Sequence, residues 1–150
     1  VEEVNRLNPS ETEALAEYIQ SLPLYLTIDG AKEGRDGQLL MTHSGFQADY
    51  IVREPDGSIN VVKTIESSAR SDLFKHLVSN DIHYIPTADR KAFDRTVLVG
   101  HVPVMRLNYD GSYKIRRDRN LISIDSGAGH RESGGRLSLY EVETGAEYYR

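Results

Sequence analysis

Two short apolar runs constrain this chain more than any other feature. They are Leu39-Leu40-Met41-Thr42 and Thr96-Val97-Leu98-Val99. Each reads as a strand, and each runs straight into a histidine near glycine: His43-Ser44-Gly45 after the first, Gly100-His101 after the second. A rigid strand fixes the imidazole at its end, and a glycine lets a ligand or ion come close. Neutral imidazole is the commonest metal ligand among side chains. The plainer reading of either site alone is a histidine capping a strand or bonded at a turn.

The rest of the chain supplies the frame. Asn8-Pro9-Ser10 opens a helix, with Ser10 as cap and Glu13 completing a capping box. Leu15, Tyr18, Ile19 and Leu22 share one face at helical spacing, and Pro23 ends the run. Residues 24–28 read as a strand. Residues 50–52 are expected to pair with residues 59–62 in a hairpin across Pro55-Asp56-Gly57. Residues 67–79 read as a helix and 80–94 as polar, irregular chain. Further strands are expected over 104–109, 113–117, 121–124, 137–142 and 147–149, with turns at Asp110-Gly111 and Thr144-Gly145. The expected class is α+β, with a sheet-rich, antiparallel last third.

Composition excludes several functions. The 150 residues suit one domain. No apolar run is long enough for a membrane helix. The absence of cysteine removes disulfides, thiolate zinc sites and cysteine nucleophiles. A net charge of −5 is a poor basis for binding nucleic acid through the overall field. With no visible signal segment either, the expected location is cytoplasmic.

A third region joins the two histidine sites. Leu121-Ile122-Ser123-Ile124 runs into Asp125-Ser126-Gly127-Ala128, and Gly134-Gly135-Arg136-Leu137 follows. Taken in order, Leu22-Pro23-Leu24, His43-Ser44-Gly45, Gly100-His101-Val102-Pro103, Ile124-Asp125-Ser126-Gly127-Ala128 and Gly134-Gly135-Arg136-Leu137 resemble the C-terminal half of the calcineurin-like metallophosphoesterases. The resemblance lies toward the phosphoprotein-phosphatase branch, with the bacterial diadenosine tetraphosphatase-like enzymes. It implies a β-sandwich with flanking helices and two divalent metals (manganese, iron or zinc) at the strand ends. It implies His43 and His101 as metal ligands. Arg70 is a candidate for the phosphate.

The family's first-half motifs, Asp-x-His, Gly-Asp-x-x-Asp-Arg-Gly and Gly-Asn-His-Asp/Glu, have no counterpart in context. Asp81-Ile82-His83 fits the first by letter only, with no apolar strand before it and no glycine after it. Residues 1–150 are therefore expected to form the C-terminal half of a phosphoesterase domain. The expected parent activity is metal-dependent hydrolysis of a phosphorylated protein or nucleotide. The general acid and remaining ligands are expected from an upstream half or a completing polypeptide, and the isolated chain is expected to be inactive or nearly so. The alternative is a non-catalytic binding or regulatory module on the same sandwich.

Other charged positions read more plainly. His76 belongs to a helix surface and His130 to a surface loop. Asp125 bonds backbone amides in its own turn, and Arg116-Arg117-Asp118-Arg119 forms a solvated turn.

Overall fold

The computed structural model describes residues 6–68 and 82–150. Arg70, His76 and most of the helix expected over 67–79 lie outside the described residues. In chain order the elements are α1 (Pro9–Ser21), β1 (Tyr25–Asp29), β2 (Gln38–Thr42), a helical stretch α2 (61–68), α3 (Thr87–Ala92), β3 (Thr96–Val99), β4 (Arg116–Arg117), β5 (Leu121–Ser123), β6 (Ser138–Glu141) and β7 (Ala146–Tyr149). The class is mixed α and β.

Five strands form one mixed sheet in the order β1-β2-β3-β5-β4, and β6 and β7 form a separate antiparallel pair. Strands β2, β3 and β5 run parallel, with Leu40 beside Val97 and Val97 beside Leu121. Only the edges, β1 against β2 and β4 against β5, are antiparallel. Within the last third the pairs β4–β5 and β6–β7 are antiparallel, as expected, while β5 also joins β3 in parallel, which is not foreseen from the sequence. Every residue of β3 and β5 is buried. Burial on both faces selects the continuous apolar runs seen in the sequence.

Alternation sends the two sides of these strands into different cores. Leu40, Val97, Val99 and Leu121 pack with Phe46, Ile59, Ile65, Ile82, Ile85 and Phe93 on the helical side. Leu39, Leu98 and Ile122 face the other way, with Ala31 and Ile115, under Tyr140, Val142 and Tyr149 of the β6–β7 region.

Local chemistry overrides several sequence expectations. Asn8, not Ser10, caps α1: its side chain accepts the Glu11 N–H at 3.0 Å, and the Glu11 carboxylate accepts the Asn8 N–H at 2.9 Å. Pro9 takes the first helical position, where no N–H is needed. None of α1 is buried. The hairpin over 50–62 shrinks to one bridge, Arg53 to Ile59. Asn60 accepts the Lys63 N–H at 3.0 Å and starts α2, so Val61 and Val62 are helical despite their β-branching. Residues 80–94 are not irregular throughout: Ile82–Tyr84 is a 3₁₀ turn, α3 follows, and Ile82, Ile85 and Phe93 are core. Residues 104–106 form a 3₁₀ turn where a strand was expected.

The basic run 116–119 is only in part a turn. Arg117 lies in β4 and pairs with Glu33 at 2.6 Å and with Glu147. Tyr140 donates to the same Glu33 carboxylate at 3.0 Å, and Arg117 lies 5.7 Å from the Tyr140 ring centre. These partners come from distant segments, which a local reading of the basic run misses. Burial, and next the Glu33 carboxylate, push the Tyr140 phenol up to about 12 from 10.0. The folded chain therefore holds this proton longer than the unfolded chain does. The stability it contributes is complete below pH about 10 and is lost as pH rises towards 12. A series of thermal midpoints between pH 9 and pH 12 is expected to fall less steeply for Tyr140→Phe than for the parent. Equal slopes would remove Tyr140 as a cause.

Candidate functional site

The parallel order of β2, β3 and β5 decides where the chemistry gathers. All three strands end at the same edge of the sheet. His43 follows β2 directly, Gly100-His101 follows β3, and Ile124-Asp125 follows β5. The carboxyl ends of adjacent parallel strands are where open α/β sheets hold ligands.

The backbone continues the ladder past the strands. Gly100 N–H donates to the His43 carbonyl at 2.9 Å, and Ile124 N–H donates to the Val99 carbonyl at 2.8 Å. The chain then reverses over His101, where Val102 N–H donates back to the Gly100 carbonyl at 2.8 Å. His101 sits in the middle of this tight turn with φ +70°. A side chain held there costs roughly 1–3 kcal/mol. This strained turn carries the imidazole of His101 to that of His43. Their rings meet edge to face, with centroids 5.0 Å apart and planes at 63°. His43 Nε2 and His101 Nδ1 are 3.1 Å apart. One ring donates its proton to the other, the direction being set by the tautomers.

Burial, and next the neighbouring His101, lower the pKa of His43 below 6.5, while Asp125 acts in the opposite sense. At neutral pH His43 is therefore the uncharged imidazole, the form that ligates metal. Asp125 also accepts the Gly127 N–H at 2.8 Å through Oδ1, as its turn residues suggest. Its electrostatic reach to His43 is not visible in the sequence, because it depends on β5 lying next to β3.

Searched against family models, curated proteins and solved structures, the chain matches none.

The donor pair can be tested against a divalent ion. Two nitrogens bound to one ion at about 2.1 Å each lie roughly 3.0 Å apart at a right angle and roughly 3.4 Å apart at a tetrahedral angle. The 3.1 Å separation of His43 and His101 falls in that range. Both donors are exposed at the sheet edge. Among the described residues no group of three or more His, Cys, Asp or Glu stands together. The two histidines thus fit as part of a metal's donor set and do not complete one.

An apolar groove of about 380 Å³ runs up to His43, lined by Leu24, Leu26, Met41, Leu98 and Ile124 among others. Behind the strand ends, Gly45 (φ +90°) presses on Ile82, and Ile82 N–H donates to the Ser44 carbonyl at 3.3 Å. His83 pairs with the Ser123 hydroxyl at 2.8 Å. This partner makes His83 a supporting residue under β5. His130 is exposed in the Ala128–Ser133 turn, as expected. No helix among the described residues is long and apolar enough to cross a membrane.

Proposed function

We propose that this chain forms the C-terminal part of a metallophosphoesterase site and that the parent protein hydrolyses phosphate esters. The observation that carries the reading is the His43–His101 pair. Two imidazoles, 58 positions apart in sequence, meet at 3.1 Å through a strained turn on neighbouring parallel strands. Such strain persists only where the surrounding structure enforces it, and it clusters at functional sites. The motif order over Leu22 to Leu137 supports the family reading, and the β6–β7 pair laid on one face of the main sheet supports a sandwich.

In this reading His43 and His101 hold divalent metal (manganese, iron or zinc), and the remaining ligands and the general acid come from polypeptide beyond these residues. Metal bound there supplies Lewis acidity and lowers the pKa of water for attack on phosphorus. The chain's own residues do the positioning. Strand β2 fixes His43, the turn after β3 aims His101, and Asp125 adds negative charge near His43. The apolar groove up to His43 offers a face for the organic part of a substrate or for the completing polypeptide.

Calorimetric titration with manganese tests the reading, using the full chain, His43→Ala and His101→Ala. Loss of an outer-shell partner alone lowers metal affinity about 10–100-fold, so losing a ligand is expected to lower it by more than about tenfold. The circular dichroism of both variants is expected to match the parent, since both side chains are exposed. Manganese affinity unchanged in both variants would sink the proposal. Metal binding without hydrolysis of an aryl phosphate, even with the upstream polypeptide supplied, would instead favour a non-catalytic binding module.

A further inference from the structure

A second cavity shares no lining residue with the groove beside His43. It has a volume of about 260 Å³ and is lined by Ser112, Tyr113, Lys114, Gly134, Arg136 and Tyr149. Its walls are held firmly. The Asn108 side-chain amide donates to the carbonyls of Ser112 and Lys114, at 2.9 and 3.0 Å, and so clamps the backbone on both sides of Tyr113. The Tyr113 ring fills the space over Gly127, where an added Cβ would stand 2.5 Å from Cε1, and it also borders Gly134. The Tyr149 hydroxyl accepts the Ile115 N–H at 2.9 Å and donates to Glu147. Arg136 is anchored by its N–H to the Ser126 carbonyl at 2.8 Å.

The charge of the lining is one-sided. Two cations border it and no carboxylate does, in a chain of net charge −5. Some other cations of the fold are tied to acids, as in Arg53–Asp89, Lys63–Glu54 and Arg117–Glu33. Among the described residues Lys114 and Arg136 form no ion pair. Lys114 also feels the Asp110 carboxylate, whose pKa it helps to lower. Two cations beside an immobilised aromatic ring suit an anion that carries a flat group. Arginine and lysine charges hold phosphate or phosphonate oxygens. A tyrosine face takes an aromatic ring. The volume lies just below the usual range for ligand sites, about 300–1,000 Å³, and limits the ligand to roughly one ring and one phosphate.

We propose that this pocket binds a small, ring-bearing phosphate monoester, with its ring on Tyr113 and its phosphate between Lys114 and Arg136. The inference does not rest on metal binding by His43 and His101.

Phenylphosphonate, which no phosphatase can hydrolyse, is the probe, titrated by amide NMR in the presence of chelator. Binding on the order of a millimolar is expected for so small a ligand. Its shifts should centre on residues 112–114 and 134–136. Methylphosphonate, without the ring, is expected to bind roughly fivefold more weakly. The double variant Lys114→Gln, Arg136→Gln, whose side chains are exposed, is expected to lose about tenfold or more. His43→Ala and His101→Ala should bind as the parent does. The proposal is overturned if phenylphosphonate does not bind, if the double variant binds equally well, or if the shifts centre on His43 and His101. Equal binding of methylphosphonate would overturn the role of Tyr113. Should the double variant misfold, Lys114→Gln alone carries the same comparison.

Discussion

Gly45→Ala is expected to destabilise the chain by about 2–5 kcal/mol, from left-handed backbone strain and overpacking together. The backbone there has φ +90°, which an L side chain rarely adopts. A Cβ would also stand 2.5 Å from the Cβ of Ile82. That neighbour cannot retreat: Ile82 is fully buried and packs in the helical-side core with Leu40, Phe46 and Val99. Gly100 is the informative contrast, since it too sits beside a site histidine. Its φ is not positive, and an added Cβ meets only the His43 carbonyl oxygen, at 3.9 Å. Gly100→Ala is therefore expected to stay within roughly 1 kcal/mol of the parent. Urea unfolding of both variants measures the difference. Two equal midpoints would mean that Gly45 is an ordinary turn glycine and that the packing of residue 82 behind His43 is looser than described. If the difference holds, the turn after β2 is fixed by its neighbours, and the direction of His43 is fixed with it.

What the sequence made legible follows the range of the forces involved. Strands β2 and β3 are readable to the residue, because burial on both faces demands a continuous apolar run. Val61-Val62 was not readable as helix. Its β-branched residues argue for a strand, and the deciding contact is the Asn60 side chain capping the turn. Residues 82–93 look polar and broken by Pro86, yet they hold Ile82, Ile85 and Phe93 in the core and bury Arg90. A buried arginine is legible only through its partners, and Asp118 is 28 positions away. The candidate site divides in the same way. Each histidine could be singled out from its own strand end. Their meeting could not, because it depends on β2 and β3 being parallel neighbours and on a positive φ at His101 that only the folded chain imposes. The charge of Asp125 beside His43 has the same origin, in the adjacency of β5 to β3.

Arg90→Ala is expected to cost about 3–5 kcal/mol, the usual loss when one partner of a buried ion pair is removed. The Arg90 side chain is only 9% exposed. One of its amino groups donates to the carbonyls of His83 and Ile85 at 3.0 and 2.8 Å. The other donates to the Thr87 hydroxyl at 2.9 Å and the Asp118 carboxylate at 2.8 Å. Truncation leaves all four acceptors without this donor. Asp118 is 25% exposed and keeps Arg116 at 3.7 Å, which places the expected loss toward the lower end of the range. Arg90→Lys is expected to recover little. A single ammonium cannot span two carbonyls, a hydroxyl and a carboxylate that a planar fork reaches together. Urea midpoints of the parent and the two variants decide this. A lysine variant as stable as the parent would show that the buried stem, not the fork, supplies the stability. The position also bears on the site. Arg90 ties residues 83–87 to the turn before β5, and β5 bonds His83 through Ser123 and leads to Asp125. Loosening that tie is therefore expected to raise amide exchange at residues 121–125 in Arg90→Ala before global unfolding. Exchange there that rises only in step with global unfolding would mean that Arg90 stabilises the whole chain without holding β5 in particular.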